Sequence, residues 1–211
     1  MIKKEIYPKT PRMKVEGEKV YLTEKLDGSN LVFFKKDGEL YFCQRKNIIA
    51  LNELDAAQSV LYKGLYQWLK DYGETLRNNL HEGSAICGEW LGMGTIKYTI
   101  DAFDKRWYMF AKGNVDDEFN LYDLKYDHNL FIYPFENQVI PVFIGVVPEV
   151  AELSVLPNKQ HLDGIYAKYI EKVGRSVEGF VINYQNIICK YVRMKSGKII
   201  EYSDTDHKNI N

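Results

Sequence analysis

Cysteine is scarce in this 211-residue chain. Cys43, Cys87 and Cys189 stand far apart, with no CxxC pair and no metal-like grouping. Each reads as a small buried hydrophobe, which argues against a disulfide framework or a thiolate zinc site. The expected setting is reduced, intracellular and cytoplasmic. The four histidines, His81, His128, His161 and His207, form no HxxxH or HExxH pattern, so the usual zinc-hydrolase motifs are missing as well. Long apolar runs are also lacking. The longest, Val139 to Val147, is nine residues and is interrupted by Pro141. It is too short to span a bilayer, and the N-terminal MIKKEIYPKTPRMK has no apolar core of the kind a secretory leader needs. No membrane partner is expected. Neither sign of charge dominates: 28 Lys plus Arg face 29 Asp plus Glu, a formal net charge of −1. A uniformly basic coat is therefore excluded as a source of nucleic-acid binding, although a local basic groove can hide inside a near-zero sum. Internal repeats, low-complexity blocks and an obvious linker are absent.

What is present is an ordinary globular mix, 45% hydrophobic and 27% charged, with 16 tyrosines and 10 phenylalanines for packing or stacking. The first twenty residues, with Pro8 and Pro11, read as an irregular lead-in before a strand at 19–22. LVFF at 31–34 and ELYFC at 39–43 flank Lys35-Lys36-Asp37-Gly38, a strong hairpin signal. From about Asn52, Leu54, Leu61, Leu65, Trp68, Tyr72, Leu76 and Leu80 recur at helical spacing. Asn52 is the candidate N-cap, and Gly64 and Gly73 are the places where the run could divide. Further strands are expected at 84–91, 106–111, 139–147, 177–183 and 187–194. A short helix is expected around 164–172, and a last hairpin at Lys195-Ser196-Gly197-Lys198. Without a repeated strand–helix–strand rhythm, the pattern predicts α+β with mostly antiparallel sheet.

Thr23-Glu24-Lys25-Leu26-Asp27-Gly28-Ser29-Asn30 is the most informative segment. A lysine there can be a solvated side chain and Asp-Gly an ordinary turn. It can also be a nucleophile, which attacks only as the neutral amine and so needs desolvation or neighbouring positive charge. Glu178 and Glu89 sit inside apolar segments, where a carboxylate either faces water at a strand end or is paired. Arg193 and Lys195 alternate along a predicted strand and so face one side together, whereas Lys190 has the opposite parity and points away. Tyr108 and Phe110 share a face by the same alternation and can be core or site.

Lys25-Leu26-Asp27-Gly28 resembles the KxDG signature of the covalent nucleotidyltransferases, the polynucleotide ligases and mRNA capping enzymes. Further short matches follow in the family's order. Gln44-Arg45-Lys46-Asn47 resembles the motif whose arginine lies near the nucleotide and the nucleic-acid end. Cys87-Gly88-Glu89-Trp90-Leu91-Gly92 resembles the one whose glutamate contacts the nucleotide sugar. Trp107-Tyr108-Met109-Phe110 resembles the strand that stacks a ring on the purine. Glu178-Gly179-Phe180-Val181-Ile182 resembles the motif whose glutamate helps hold metal, and Arg193-Met194-Lys195 the basic pair directed at phosphates. TEKLDGSN and the YPKTPRMK lead-in look most like the ATP-dependent RNA ligase branch.

The resemblance implies antiparallel sheets with flanking helices, the nucleotidyltransferase domain of the ATP-grasp-like ligase fold, filling 1–211 as a single domain. The chain stops 16 residues after Lys195, which leaves no room for the OB-fold or helical C-terminal domain of other members. It implies ATP and Mg2+, or Mn2+, as cofactors. Lys25 would form lysyl-AMP, AMP would pass to a 5′-phosphate end of RNA, and a 3′-hydroxyl would displace it. By the same resemblance, Lys25, Arg45, Arg193 and Lys195 are the catalytic set. Glu24 (adenine edge), Asn30, Arg45, Glu89, Phe110 (with Tyr108 as the alternative), Glu178, Arg193 and Lys195 contact the nucleotide, and Glu178 holds the metal. Arg193 in place of the usual lysine presents a planar fork instead of a point charge. Partners would be RNA ends, a nicked duplex among them, with a helper protein or domain for grip. A compact ligase of this kind would suit a phage or virus. Ligation of nicked DNA, adenylylation of another acceptor, and a nucleotide- or RNA-binding relative with weak turnover are the rival readings.

Overall fold

The computed structural model describes residues 2–3, 20–184, 187–195 and 198–199. The proline-containing lead-in and the Ser196-Gly197 turn lie outside the described residues. In chain order the strands are β1 (Ile2–Lys3), β2 (Val20–Lys25), β3 (Ser29–Lys36), β4 (Glu39–Gln44), β5 (Asn47–Ala50), β6 (Ser84–Trp90), β7 (Trp107–Val115), β8 (Leu121–Lys125), β9 (Gly145–Val146), β10 (Glu149–Leu153), β11 (Gly179–Tyr184), β12 (Ile187–Val192), β13 (Met194–Lys195) and β14 (Lys198–Ile199). The α-helices are α1 (Leu54–Ala57), α2 (Leu65–Asn79) and α3 (Lys159–Val173). This is the α+β, antiparallel composition expected. The chain forms two compact units, Met1–Lys9 with Gly28–Val147, and Thr10–Asp27 with Pro148–Asn211.

The larger unit is built on one sheet in the order β1-β5-β4-β3-β6-β7-β8, antiparallel throughout, with β9 added parallel to β7. Its central strand reads as an uninterrupted apolar run because both faces are covered. Leu31 and Phe33 enter one core with Trp68, Leu76, Trp107 and Phe135, while Val32 and Phe34 enter a second with Cys43, Cys87 and Ala111. Phe33 stacks on Trp68 at 5.5 Å and meets the edge of Trp107 at 5.1 Å. Asp37 and Gly38, both at positive φ, make the tight β3–β4 turn.

Gly64 divides the helical run, as the sequence allowed, and other expectations change. The helical run is broken: a 3₁₀ turn at Leu51–Glu53, α1 and a second 3₁₀ turn precede Gly64, whose φ of +83° ends the first part before α2 begins. Ala50, not Asn52, occupies the first cap position, with no side-chain cap bond. Gly73 does not divide α2, because its bare Cα is where Leu51 packs; a Cβ there would lie 2.8 Å from Leu51 Cδ1. Within 139–147 only β9 is strand; Pro141 removes a ladder donor, and its carbonyl closes a turn to Ile144 N. Finally β5, unmarked in the sequence reading, pairs with β4 across a turn at Arg45-Lys46.

The smaller unit has a four-stranded antiparallel sheet, β10-β2-β11-β12, and a β13–β14 hairpin. Val20, Leu22, Phe180, Ile182 and Tyr191 pack with Leu162 and Tyr169 of α3. That helix is longer than the sequence suggested. Asn158 caps it by accepting from His161 N at 2.9 Å, and Gly174 at φ +63° closes it, so Pro157-Asn158 is a helix start. Lys25 lies within β2, which runs three residues beyond the predicted strand end.

Candidate active site

Strand parity sorts the smaller unit's charged residues onto two faces. In β2, Val20, Leu22 and Glu24 are buried and alternate with Tyr21, Thr23 and Lys25. Lys25 pairs with Gly179, which follows Glu178, and its Nζ meets Glu178 Oε2 at 2.5 Å. Both side chains are partly buried, 23% and 15% exposed. Burial pushes the Glu178 carboxyl above its ordinary range; Lys25 pulls it back, Asp27 adds to the rise, and Lys190 opposes it. Of the two sequence alternatives for Glu178, pairing is the one observed.

Glu24, next to the lysine, faces the other way. It is 1% exposed, with Arg175 donating to both its oxygens at 2.5 and 2.7 Å and Tyr169 Oη donating at 2.8 Å. That environment drives the Tyr169 hydroxyl well above the ordinary tyrosine range, chiefly by burial and then by the adjacent carboxylate. Arg193 is also on the α3 side. β12 ends at Val192, and the peptide N–H groups of Arg193 and Met194 both donate to the Glu178 carbonyl, at 2.8 and 3.0 Å. Two successive N–H groups on one carbonyl mark a bulge at the strand end. The shared face expected of Arg193 and Lys195 rests on the Lys195 side chain, which lies outside the described residues. Arg193 Nη1 donates to Asp163 of α3 at 2.8 Å, its guanidinium lies 5.8 Å from the Tyr166 ring centre, and Asp163 also accepts from Tyr191 Oη. Lys195 lies on β13.

The larger unit carries the remaining candidates. Asn30 pairs with Glu89 and Glu89 with Tyr108, a cross-strand row on one face of β3, β6 and β7. Gly88 must be glycine there, because a Cβ would collide with the Trp107 ring and the Tyr108 carbonyl. Between Gly88↔Met109 and Cys87↔Ala111 the register slips, so Phe110 is the extra residue of a bulge, and it packs beside the second core. Tyr108 is buried, its hydroxyl accepting from Lys105 N at 3.1 Å and meeting Phe103 edge-on. Arg45 sits in the β4–β5 turn at φ +55°, exposed, where it opposes the burial-driven rise of the Tyr62 hydroxyl.

Several of these partners were not legible in the sequence. Arg175, Tyr169 and Asp163 carry no motif; only the alternation that buries Glu24 signals that a partner is needed. Among the described residues, no cluster of three or more His, Cys, Asp or Glu gathers, and no helix is long and apolar enough to cross a membrane.

The lysine of the KLDG segment and the glutamate of the EGFVI segment thus meet within an antiparallel α+β frame. The family model described as RNA ligase matches residues 18–196, most of the chain, and the chain belongs to that family. No curated protein sequence matches. Among solved structures it is similar to an archaeal ATP-dependent RNA ligase, with 14% identity, a TM-score of 0.50, and 88% of this chain covering 48% of that one. A protein from Aquifex aeolicus provisionally described as an ATP-dependent DNA ligase gives 16% identity, TM-score 0.50, and 88% against 49%. An RNA ligase of Naegleria gruberi, solved with ATP and manganese, gives 17%, TM-score 0.49, and 91% against 61%. The chain thus spans about half the length of the first solved structures it matches, and at these identities the likeness is one of fold.

Proposed function

We propose that this chain is an ATP-dependent RNA ligase that joins 3′-hydroxyl and 5′-phosphate ends through lysyl-AMP on Lys25. The observation that carries this reading is the Lys25–Glu178 contact at 2.5 Å, on strands that lie inside the family match. The Nζ lone pair attacks the α-phosphorus of ATP, the bond from that phosphorus to the β-bridging oxygen breaks, and pyrophosphate leaves with the bonding electrons. The Lys25 ammonium gives its proton to solvent beforehand, a loss that a divalent cation held at Glu178 would favour by adding positive charge beside it. AMP then passes to the 5′-phosphate of an RNA end, and the 3′-hydroxyl oxygen attacks that phosphate to expel AMP.

A divalent cation suits this site. Mg2+ or Mn2+ takes oxygen ligands and completes its shell with substrate phosphates and water, so it needs only one or two protein carboxylates, and Glu178 with Asp27 nearby supplies that donor type. When bound it would offset charge building on the phosphate oxygens. Asn30, Arg45, Glu89, Phe110 and Lys195 keep the nucleotide- and end-contacting roles that the family resemblance gives them, with Tyr108 the alternative ring. Direct ligand contact by Glu24 or Arg193 requires each to leave the ion pair it makes with Arg175 or Asp163.

The test is incubation with ATP and magnesium, read as intact protein mass. Gain of one AMP by the parent chain and none by Lys25→Ala supports the reading. No gain, with no mass loss on pyrophosphate treatment of a pre-charged preparation, rejects it. Ligation of 5′-phosphorylated RNA against DNA then sets the acceptor.

A further inference from the structure

Sequence parity predicted that Lys190 points away from the site while Arg193 faces it. The two do lie on opposite faces, but it is Lys190 that shares the Lys25 face and Arg193 that lies toward α3. In β11, Gly179 lies between Lys25 of β2 and Val192 of β12; two positions on, Val181 lies between Thr23 and Lys190. Cross-strand partners share a face, and residues two apart share it too. Lys25, Thr23, Val181, Val192 and Lys190 therefore project from one side of the sheet. Glu24, Leu22, Phe180, Ile182 and Tyr191 project toward α3 on the other.

Nothing bulky separates the two lysines along the β11 row nearest Lys25. Gly179 has no side chain, and cannot acquire one, since a Cβ would overlap the Tyr191 carbonyl. The electrostatics agree with the geometry: Glu178 registers both Lys25 and Lys190 as positive neighbours. Arg193 lies on the helix side, where it donates to Asp163 and sits over the Tyr166 ring.

We propose that Lys190 is a phosphate-contacting residue for the nucleotide on the Lys25 face, and that Arg193 is a positioning residue that holds the strand end carrying Glu178. This rests on the ATP reading above. A triphosphate carries several negative charges beside the attacked phosphorus, and a second ammonium on the same face meets them, whereas Arg193 anchors the backbone by its N–H and helix α3 by its guanidinium.

The test uses Lys25→Ala, which cannot take AMP, so equilibrium binding can be followed without turnover. ATP and adenosine dissociation constants are measured in that parent, in Lys25→Ala/Lys190→Ala and in Lys25→Ala/Lys190→Arg, with thermal unfolding of each as the fold control. The expected result is ATP binding weakened about 10- to 150-fold by Lys190→Ala, the equivalent of the about 1.5–3 kcal/mol that a charge-assisted contact is worth. Adenosine, which lacks phosphate, should bind as before, and Lys190→Arg should recover most of the ATP affinity. Unchanged ATP binding in Lys190→Ala overturns the proposal, as does an equal loss for adenosine, which would mark a structural role. Failure of the Lys25→Ala parent to bind ATP at all is a different result: it removes the ATP reading itself, and this proposal with it.

Discussion

The two sheets bury polar groups by different means. Among the described residues, two polar or charged side chains are buried: Gln44 in the larger unit and Glu24 in the smaller. Gln44 is neutral and satisfied by backbone, its amide donating to the Val60 carbonyl at 2.6 Å and accepting from Tyr62 N at 2.9 Å. Around it the larger unit is a stack of rings on both sheet faces. Glu24 is charged and satisfied by side chains, and the smaller sheet holds further ion pairs, Lys25–Glu178 on one side and Arg193–Asp163 on the other. The difference teaches where rigidity comes from. Apolar packing holds the larger sheet, while fixed charges set the strand that carries Lys25, at the desolvation cost that buried ions always carry.

Truncating one element of each kind exposes that contrast. Phe33→Ala, in the ring stack, should cost about 3–5 kcal/mol through lost burial and the cavity left behind, and that loss should be indifferent to salt. Arg175→Met should cost about 3 kcal/mol because it strands the buried Glu24 carboxylate. Adding Glu24→Gln to Arg175→Met should recover much of the loss, since the orphaned charge goes with it; no second change rescues Phe33→Ala in that way. Urea unfolding of the four proteins checks both statements. If Arg175→Met and its double mutant are equally unstable, the arginine acts by packing and the contrast between the units fails.

A gentler probe sharpens the same contrast at the site. Burial outweighs Lys25 and Lys190, so the Glu178 carboxyl is raised on folding. A group raised in the folded state favours that state below its unfolded pKa, and the contribution is lost as pH rises through the folded value. Glu178→Gln removes this term, so its stability relative to the parent should improve as pH rises above the ordinary glutamate value of about 4.3. A relative stability that falls over that range would mean that the Lys25 pair dominates, making the smaller sheet electrostatically stabilised instead of strained.

Much of this fold was legible as pattern, and the parts that were not have identifiable causes. Asp37-Gly38 announced its hairpin because turn dihedrals need those residues, and Leu65, Trp68 and Leu76 announced α2 by period. Lys25 and Glu178 were found by motif order and stand together. Parity held along β12, where Tyr191 and Arg193 both reach Asp163 on the α3 side; what it could not tell was which face carries Lys25, because the long-range register of β11 with β2 and β12 sets that. At Tyr108 and Phe110 it held, both lying on the face opposite Trp107 and Met109, and the bulge breaks it one residue later, where Ala111 joins Phe110 at the second core. Arg175 and Asp163 were invisible because long-range pairing leaves no local spacing. What local rules predict is local, and the electrostatic half of the site is not.

The smallest expected effect separates the units by their thiols. Cys87 lies fully buried in the larger unit's second core beside Cys43, and burial drives its thiol far above the ordinary range. The thiolate is the species that alkylates, so Cys87 should stay unlabelled by iodoacetamide while the chain is folded. Cys189, on β12 of the smaller unit, is only partly buried and should label first. Peptide mapping by mass spectrometry at successive times gives the order, and urea should bring Cys87 into reach. Labelling of Cys87 at the rate of Cys189 in the absence of urea would mean that the second face of the larger sheet opens readily, and that its stack of rings is no more closed than the charged sheet beside which it was compared.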